Sequence, residues 1–128
     1  MVIKIISIDH VQLCIPPGKE NEARNFYSGV LELEEIEKPE SLKPNGGFWY
    51  RIGDSQELHI GIEGKEGIEE ASKESKAHPA FEILHLDEAR HYLERNGIEI
   101  NEETRIPGVS RFSIRDPFGN RLEFLERL

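Results

Sequence analysis

The 128-residue sequence predicts an α+β fold of two tandem βαβββ modules that curve a mixed sheet around a central cavity. Three observations predict it. Strand-like segments alternate apolar and polar residues with a period of two. A helical apolar stripe follows the first strand of each half. The halves also repeat at a near-constant offset: Ala23-Arg24 and Ala89-Arg90 lie 66 residues apart, His10 and His78 lie 68 apart, and His59 and Glu123 lie 64 apart. Unequal loops account for the drift. A repeat of roughly 60 residues suggests duplicated architecture. One module alone would leave a sheet face bare, whereas two can bury it.

Ile5 to Ile15 opens the first module as a strand, with Val11, Leu13 and Ile15 on one face and His10, Gln12 and Cys14 on the other. Pro16-Pro17-Gly18 stops it, because proline offers no ladder donor and glycine permits the turn. A helix is expected over Lys19 to Ser28. Ala23, Phe26, Tyr27 and Val30 fall at i, i+3, i+4 and i+7 as one stripe, and Glu20 and Glu22 suit its positive N-terminal end. Strands follow at Leu31 to Ile36, Gly47 to Ile52 and Glu57 to Ile62. Pro39 and Pro44 punctuate the first connection, and Gly53-Asp54-Ser55 makes the hairpin turn of the second. The polar stretch Glu63 to Lys76 reads as a linker with a helical turn at Ile68 to Ala71.

The second module repeats the order. A strand is expected at His78 to Ile83. A helix capped by Asp87 carries the stripe Ala89, Tyr92 and Leu93 and closes at Asn96-Gly97. Strands follow at Ile98 to Glu102, Ser110 to Arg115 and Asn120 to Leu125. The expected organisation is a single domain, with module 1 over about 1–63, a linker over about 64–77 and module 2 over about 78–128.

Hydrophobic residues make up 37% of the chain and charged residues 32%, a soluble globular composition. No apolar run reaches the length needed to span a bilayer. The opening MVIKIISIDH is too short for a signal peptide, so a cytoplasmic location is expected. The formal net charge of −9 argues against a nucleic acid or an anionic membrane as partner. The single cysteine, Cys14, can form no intrachain disulfide and suits a reducing compartment.

Alternation also sets chemistry opposite packing. In the closing strands Leu58/Ile60 and Leu122/Phe124 lie opposite His59 and Glu123. If the apolar sets face the helices, His10, His59, His78 and Glu123 take four equivalent positions on the cavity side. Three imidazoles and one carboxylate suit a borderline divalent metal such as Zn, Ni, Mn, Fe or Co. His10, His78 and Glu123 alone form a 2-His-1-carboxylate set, which leaves positions open for substrate or dioxygen. The plainer alternative pairs Glu123 with Arg51, Arg111, Arg115 or Arg121, because a buried carboxylate needs a partner. Gln12 and Cys14 share the cavity face with His10, and Trp49 is a candidate for its wall. Cys14 reads as a small buried apolar side chain rather than a nucleophile. Arg51, Arg111 and Arg115 are candidate anchors for an anionic ligand group. His85 and His91 read as structural or surface residues, one flanking the second helix and the other beside its apolar stripe.

Three stretches, Asp9-His10-Val11-Gln12-Leu13, Phe26-Tyr27-Ser28-Gly29-Val30-Leu31 and Asp116-Pro-Phe-Gly-Asn-Arg-Leu-Glu-Phe124, together resemble the vicinal oxygen chelate superfamily. That superfamily includes glyoxalase I, bleomycin-resistance proteins, fosfomycin-resistance enzymes and extradiol dioxygenases. The resemblance spans nearly the whole chain. It implies metal ligands at His10, His78 and Glu123, with His59 or Glu57 as the fourth, and proton transfer by Glu123 or Glu57. Glyoxalases place Glu where His59 stands, so the chain departs from their pattern there. The three-ligand set of the fosfomycin-type enzymes and dioxygenases is present. The implied function is a divalent-metal enzyme acting on a small molecule with neighbouring oxygens, by lyase or isomerase, thiol-transfer or dioxygenase chemistry. The alternative is metal-free sequestration of a small molecule, as in the bleomycin-resistance branch. The resemblance also implies a homodimer.

Overall fold

A computed structural model describes residues 2–64 and 75–128, which fall into two compact units within 1–68 and 69–128. The division lies inside the stretch predicted as linker. The predicted helical turn at 68–71 lies outside the described residues.

Unit 1 runs β1 (His10–Ile15), α1 (Glu20–Arg24) continuing as a π-helical turn (Asn25–Val30), β2 (Glu34–Ile36), a 3-10 turn (Glu40–Asn45), β3 (Phe48–Ile52) and β4 (Gln56–Ile62). Unit 2 runs β5 (Ala80–Glu82), α2 (Leu86–Arg95), β6 (Asn101–Glu102), β7 (Val109–Arg115) and β8 (Arg121–Arg127). Each unit has one four-stranded mixed sheet, ordered β1-β4-β3-β2 and β5-β8-β7-β6. In both, the opening strand lies parallel on the closing strand and the other neighbours are antiparallel. The βαβββ repeat read from the sequence is therefore present in both halves.

Several predicted boundaries move, each for a local reason. β1 starts at His10 rather than Ile5 because its partner runs out: His10 pairs with Glu57, and β4 begins one residue earlier, at the hairpin. Val2, Ile3, Ile5, Ile6 and Ile8 are consequently exposed. β5 shrinks to three residues because Pro79 brings no N–H to the ladder, although its carbonyl accepts from Glu123 N at 3.1 Å. β2 shortens to Glu34–Ile36 behind Glu32, whose φ of 58° breaks the extended run. β6 shortens to Asn101–Glu102. The first helix widens into a π turn, with Leu31 N donating to Phe26 O at 2.9 Å, and the neighbouring aromatics Phe26 and Tyr27 are both buried there.

The cap of α2 corrects the prediction in kind. Asp87 lies inside the first turn, and the cap position is His85, in the left-handed region at φ 59° with no side-chain capping bond. The orphan amides are met from a distant strand instead. The Glu126 carboxylate accepts from His85 N at 2.9 Å and from Leu86 N at 3.1 Å. Those two backbone donors, Leu86 first, hold Glu126 below the usual carboxylate range.

The cores follow the predicted stripes. Ala23, Phe26 and Tyr27 from the first helix pack with Phe48, Tyr50, Leu58 and Ile60, and Leu86 and Leu93 from α2 are buried in the unit that also buries Phe112, Ile114 and Leu122. One clamp recurs in both units. Arg24 grips Glu35 with two bonds, at 2.9 and 3.2 Å, and lies 4.3 Å over the Phe48 ring. Arg90 pairs with Glu102 and lies 5.0 Å over Phe112. The arginines flagged by the repeat thus tie helix to sheet through the same two contacts in each half.

Two predictions follow from these local constraints. A carboxylate held low contributes stability above its unfolded pKa and loses it as pH falls through the folded value. Glu126→Gln, an isostere of the protonated acid, should therefore melt below wild type at pH 7, with a smaller gap at about pH 3. Melts that stay separated by the same interval at both pH values would disprove the cap. At Gly47 (φ 79°) an added Cβ would sit 2.1 Å from Ile60 O. Gly47→Ala should cost about 2 kcal/mol or more in denaturant unfolding, from backbone strain and the clash together.

Candidate functional site

The register of the parallel pair in unit 1 places the first set of chemical groups. His10 lies beside Glu57 and Gln12 beside His59 on β1 and β4, while β3 sets Trp49 opposite His59. The three rings form a column. Trp49 and His59 stack at 3.9 Å with an interplanar angle of 3°, and His59 and His10 stack at 4.0 Å and 14°. His59 is 5% exposed. Its Nε2 meets Glu57 Oε1 at 2.8 Å, and His10 Nδ1 meets Asp9 Oδ2 at 2.9 Å. A carboxylate only accepts, so those two nitrogens carry the protons. That leaves Nδ1 of His59 and Nε2 of His10 as the acceptor nitrogens of the neutral rings. The column faces a cavity of about 680 Å³ lined by His10, Gln12, Trp49, Glu57 and His59 from the strands, by Asp9 just before β1, and by Lys38, Leu42, Asn45 and Gly46 from the connection before β3.

Unit 2 carries the second set. Glu123, 4% exposed, lies on β8 and accepts from Arg111 Nη1 at 2.9 Å on Oε1, with His78 Nε2 3.2 Å from the same oxygen. His78 Nδ1 meets the Lys76 carbonyl at 2.7 Å. Arg111 is the partner among the four arginines the sequence left open. A neighbouring carboxylate, Glu103, accepts from Ser113 Oγ at 2.5 Å and from Arg121 at 2.7 Å. The Ser113 bond first, and then Arg121, hold it below the usual carboxylate range.

The predicted site residues thus fall into two groups. His10, Gln12, Trp49, Glu57 and His59 share the unit 1 cavity. His78, Glu123 and Arg111 share the unit 2 network. Cys14 lies outside the cavity lining, and burial pushes its thiol up, with Glu63 adding to the shift. Arg51 is half exposed, 3.8 Å from Glu34, and Arg115 donates to the Gly119 carbonyl in the turn before β8. Sequence reasoning missed Asp9 and Lys38 in the cavity and Glu103 in the network, whereas Leu42, Asn45 and Gly46 fall in the Pro39 to Gly46 loop expected to shape the cavity mouth. Pro39 and Pro44 were the signal for that loop; nothing in the pattern singled out Glu103.

The metal implied by the resemblance draws its ligands from both units, and each unit's own share can be set against what an ion requires. An ion must lie roughly 2 Å from each imidazole nitrogen, along a lone pair in the ring plane. His10 and His59 stack face to face, so their lone pairs run side by side and cannot converge on one ion. His78 and Glu123 offer two donors, short of the three protein ligands of a catalytic site, and the shared oxygen already holds a guanidinium. Among the described residues no group of three or more His, Cys, Asp or Glu side chains is arranged to hold a metal ion. The residues within each unit do not fit a resident metal.

Comparison with known proteins decides the family. The family model described as the glyoxalase/bleomycin resistance protein/dioxygenase superfamily matches residues 7–124. The chain belongs to that superfamily. A glyoxalase family protein of Bacillus anthracis is 46% identical over all of both chains, with a TM-score of 0.88. A glyoxalase/dioxygenase of Nostoc punctiforme is 20% identical over 100% of this chain and 99% of its own, with a TM-score of 0.78. A lactoylglutathione lyase of Agrobacterium tumefaciens is 22% identical over 96% and 95%, with a TM-score of 0.72. These last two likenesses establish the fold alone. The chain matches no curated protein. As a superfamily member it retains the paired-module plan, with His59 and Glu123 at matching positions of the two closing strands. Among the described residues no helix is long and apolar enough to cross a membrane.

Trp49 is the chain's one tryptophan and so reports on the column directly. His59→Ala should raise its emission by removing a ring in contact with the indole. It should also cost about 1–3 kcal/mol, from two lost stacking contacts. Unchanged emission in a folded variant would show that the rings do not stack in solution.

Proposed function

We propose that this superfamily member is an enzyme that moves a proton on a small molecule with neighbouring oxygens, bound in the unit 1 cavity. The observation that carries this reading is the Glu57–His59 pair, a buried imidazole at the cavity with one nitrogen committed to a carboxylate. Glu57 orients the ring and stabilises the imidazolium that forms when Nδ1 takes a proton. The ring column keeps the imidazole rigid. The ammonium of Lys38 and the amides of Gln12 and Asn45 supply donors for substrate oxygens. Removal of a proton beside a carbonyl is the first step shared by isomerisation, epimerisation and lyase reactions, and the cavity chemistry supports that class. The single cysteine, which can form no intrachain disulfide, supports a cytoplasmic setting. The exposed apolar run from Val2 to Ile8 supports the homodimer implied by the resemblance.

The test is proton exchange in D2O, followed by NMR over a panel of 2-hydroxy ketones, 2-oxoaldehydes and their thiol adducts, with Trp49 emission reporting binding. Wild type should exchange the proton beside the carbonyl, and His59→Ala should lose it by a factor of about 10² or more while still binding. Binding without exchange in wild type would leave a sequestering protein. Exchange that His59→Ala retains would move the chemistry elsewhere. Exchange that appears only with added divalent ion would restore the metal-dependent reading of the sequence.

A further inference from the structure

We infer that Arg111 is the resident cation of the superfamily's closing carboxylate, and that in this chain it holds the place a divalent metal would need beside Glu123. This cation belongs to unit 2 and is separate from the reaction proposed for the unit 1 cavity. Glu123 is 4% exposed and cannot stay charged there without a counter-ion. Arg111 supplies one at 2.9 Å, on the same Oε1 that faces His78. The guanidinium is not a loose surface group that a metal could displace cheaply. Its Nε and Nη2 both donate to the Thr104 carbonyl, at 3.0 and 2.7 Å, while Nη1 reaches Glu123, so three of its nitrogens are bound from two directions. A metal bound to Glu123 Oε1 at roughly 2 Å would lie against this fixed positive charge. Either the guanidinium leaves three hydrogen bonds or the ion stays out. The remaining donor, His78, already lies 3.2 Å from that oxygen. Removing the arginine charge should therefore uncover a latent two-donor metal site.

The test is calorimetric titration of metal-stripped protein with Zn²⁺, Ni²⁺ and Mn²⁺, with bound metal counted by elemental analysis. Wild type should take up no more metal than His78→Ala. Arg111→Lys, which keeps a cation, should behave as wild type. Arg111→Gln should gain one Zn²⁺ with affinity at least about ten-fold above wild type, and the gain should vanish in the Arg111→Gln/His78→Ala double variant. One equivalent of metal on wild type that His78→Ala loses would overturn the inference. A folded Arg111→Gln with no gain would also overturn it. If Arg111→Gln does not fold, the comparison of wild type, Arg111→Lys and His78→Ala still decides, because the inference requires all three to be equally metal-free. The titrations read metal uptake beside Glu123 and the exchange assay reads proton transfer at His59, so the two readings fail separately.

Discussion

Everything at the candidate site hangs on one pairing, the parallel contact between the opening and closing strands of each unit. In unit 1 that register puts His10 beside Glu57 and Gln12 beside His59. In unit 2 it puts Ala80 beside Glu123 and leaves His78, two residues earlier, within reach of the same carboxylate. Side chains alternate across a strand, so a slip of one residue would send every one of these groups to the opposite face and carry Leu58, Ile60 and Leu122 out of the core. Packing therefore protects the chemistry. The apolar residues that fix the register are the immediate neighbours of the polar ones it positions.

The same logic explains how far the sequence could be read. Alternation and the repeat offsets carried the two-module plan, the stripes of both helices and the face shared by His10, Gln12, Glu57 and His59. They depend only on local periodicity, which a single strand or helix displays by itself. Features settled between distant segments were not legible. The α2 cap comes from Glu126, some 40 residues from the amides it meets, so the nearby Asp87 was a reasonable but wrong candidate. The start of β1 was set by the length of its partner, not by its own apolar run. The cavity wall from Lys38 to Gly46 lies on a connection, where no periodicity exists to read. The arginine for Glu123 was narrowed to four and then chosen by reach: Arg115 and Arg121 found partners at Gly119 and Glu103, Arg51 lies near Glu34, and Arg111 was left to cross toward β8.

Duplication kept the scaffold more closely than the site. Arg24 and Arg90 repeat their ion pair and their ring contact almost contact for contact. By contrast, the matching positions 59 and 123 of the two closing strands hold different groups, and each sheet surrounds its own differently. His59 lies against two rings, while Glu123 lies between a guanidinium and an imidazole. An imidazole can be buried by stacking, with one nitrogen satisfied by Glu57. A carboxylate cannot, because its charge must be matched.

This difference bears on why position 59 holds histidine where position 123 holds glutamate. In unit 2, Ser113 pairs with Glu123, and the residue two earlier on β7 is Arg111. In unit 1, Trp49 pairs with His59, and the residue two earlier is Gly47. No side chain can be placed at Gly47, since its Cβ would lie 2.1 Å from the Ile60 carbonyl oxygen and its φ is 79°. Unit 1 therefore has no equivalent of Arg111 to offer. A glutamate at position 59 would be buried beside Trp49 with Glu57 two residues away, like charge next to like charge, and Arg51, on the same strand as Trp49, lies opposite Glu57 and toward Glu34 rather than opposite position 59. Histidine at that position removes the repulsion and turns Glu57 from a competitor into a partner. On this argument the backbone at Gly47 excluded the arginine, the missing arginine excluded the second buried glutamate, and the imidazole–carboxylate pair at the cavity is what that constraint allows.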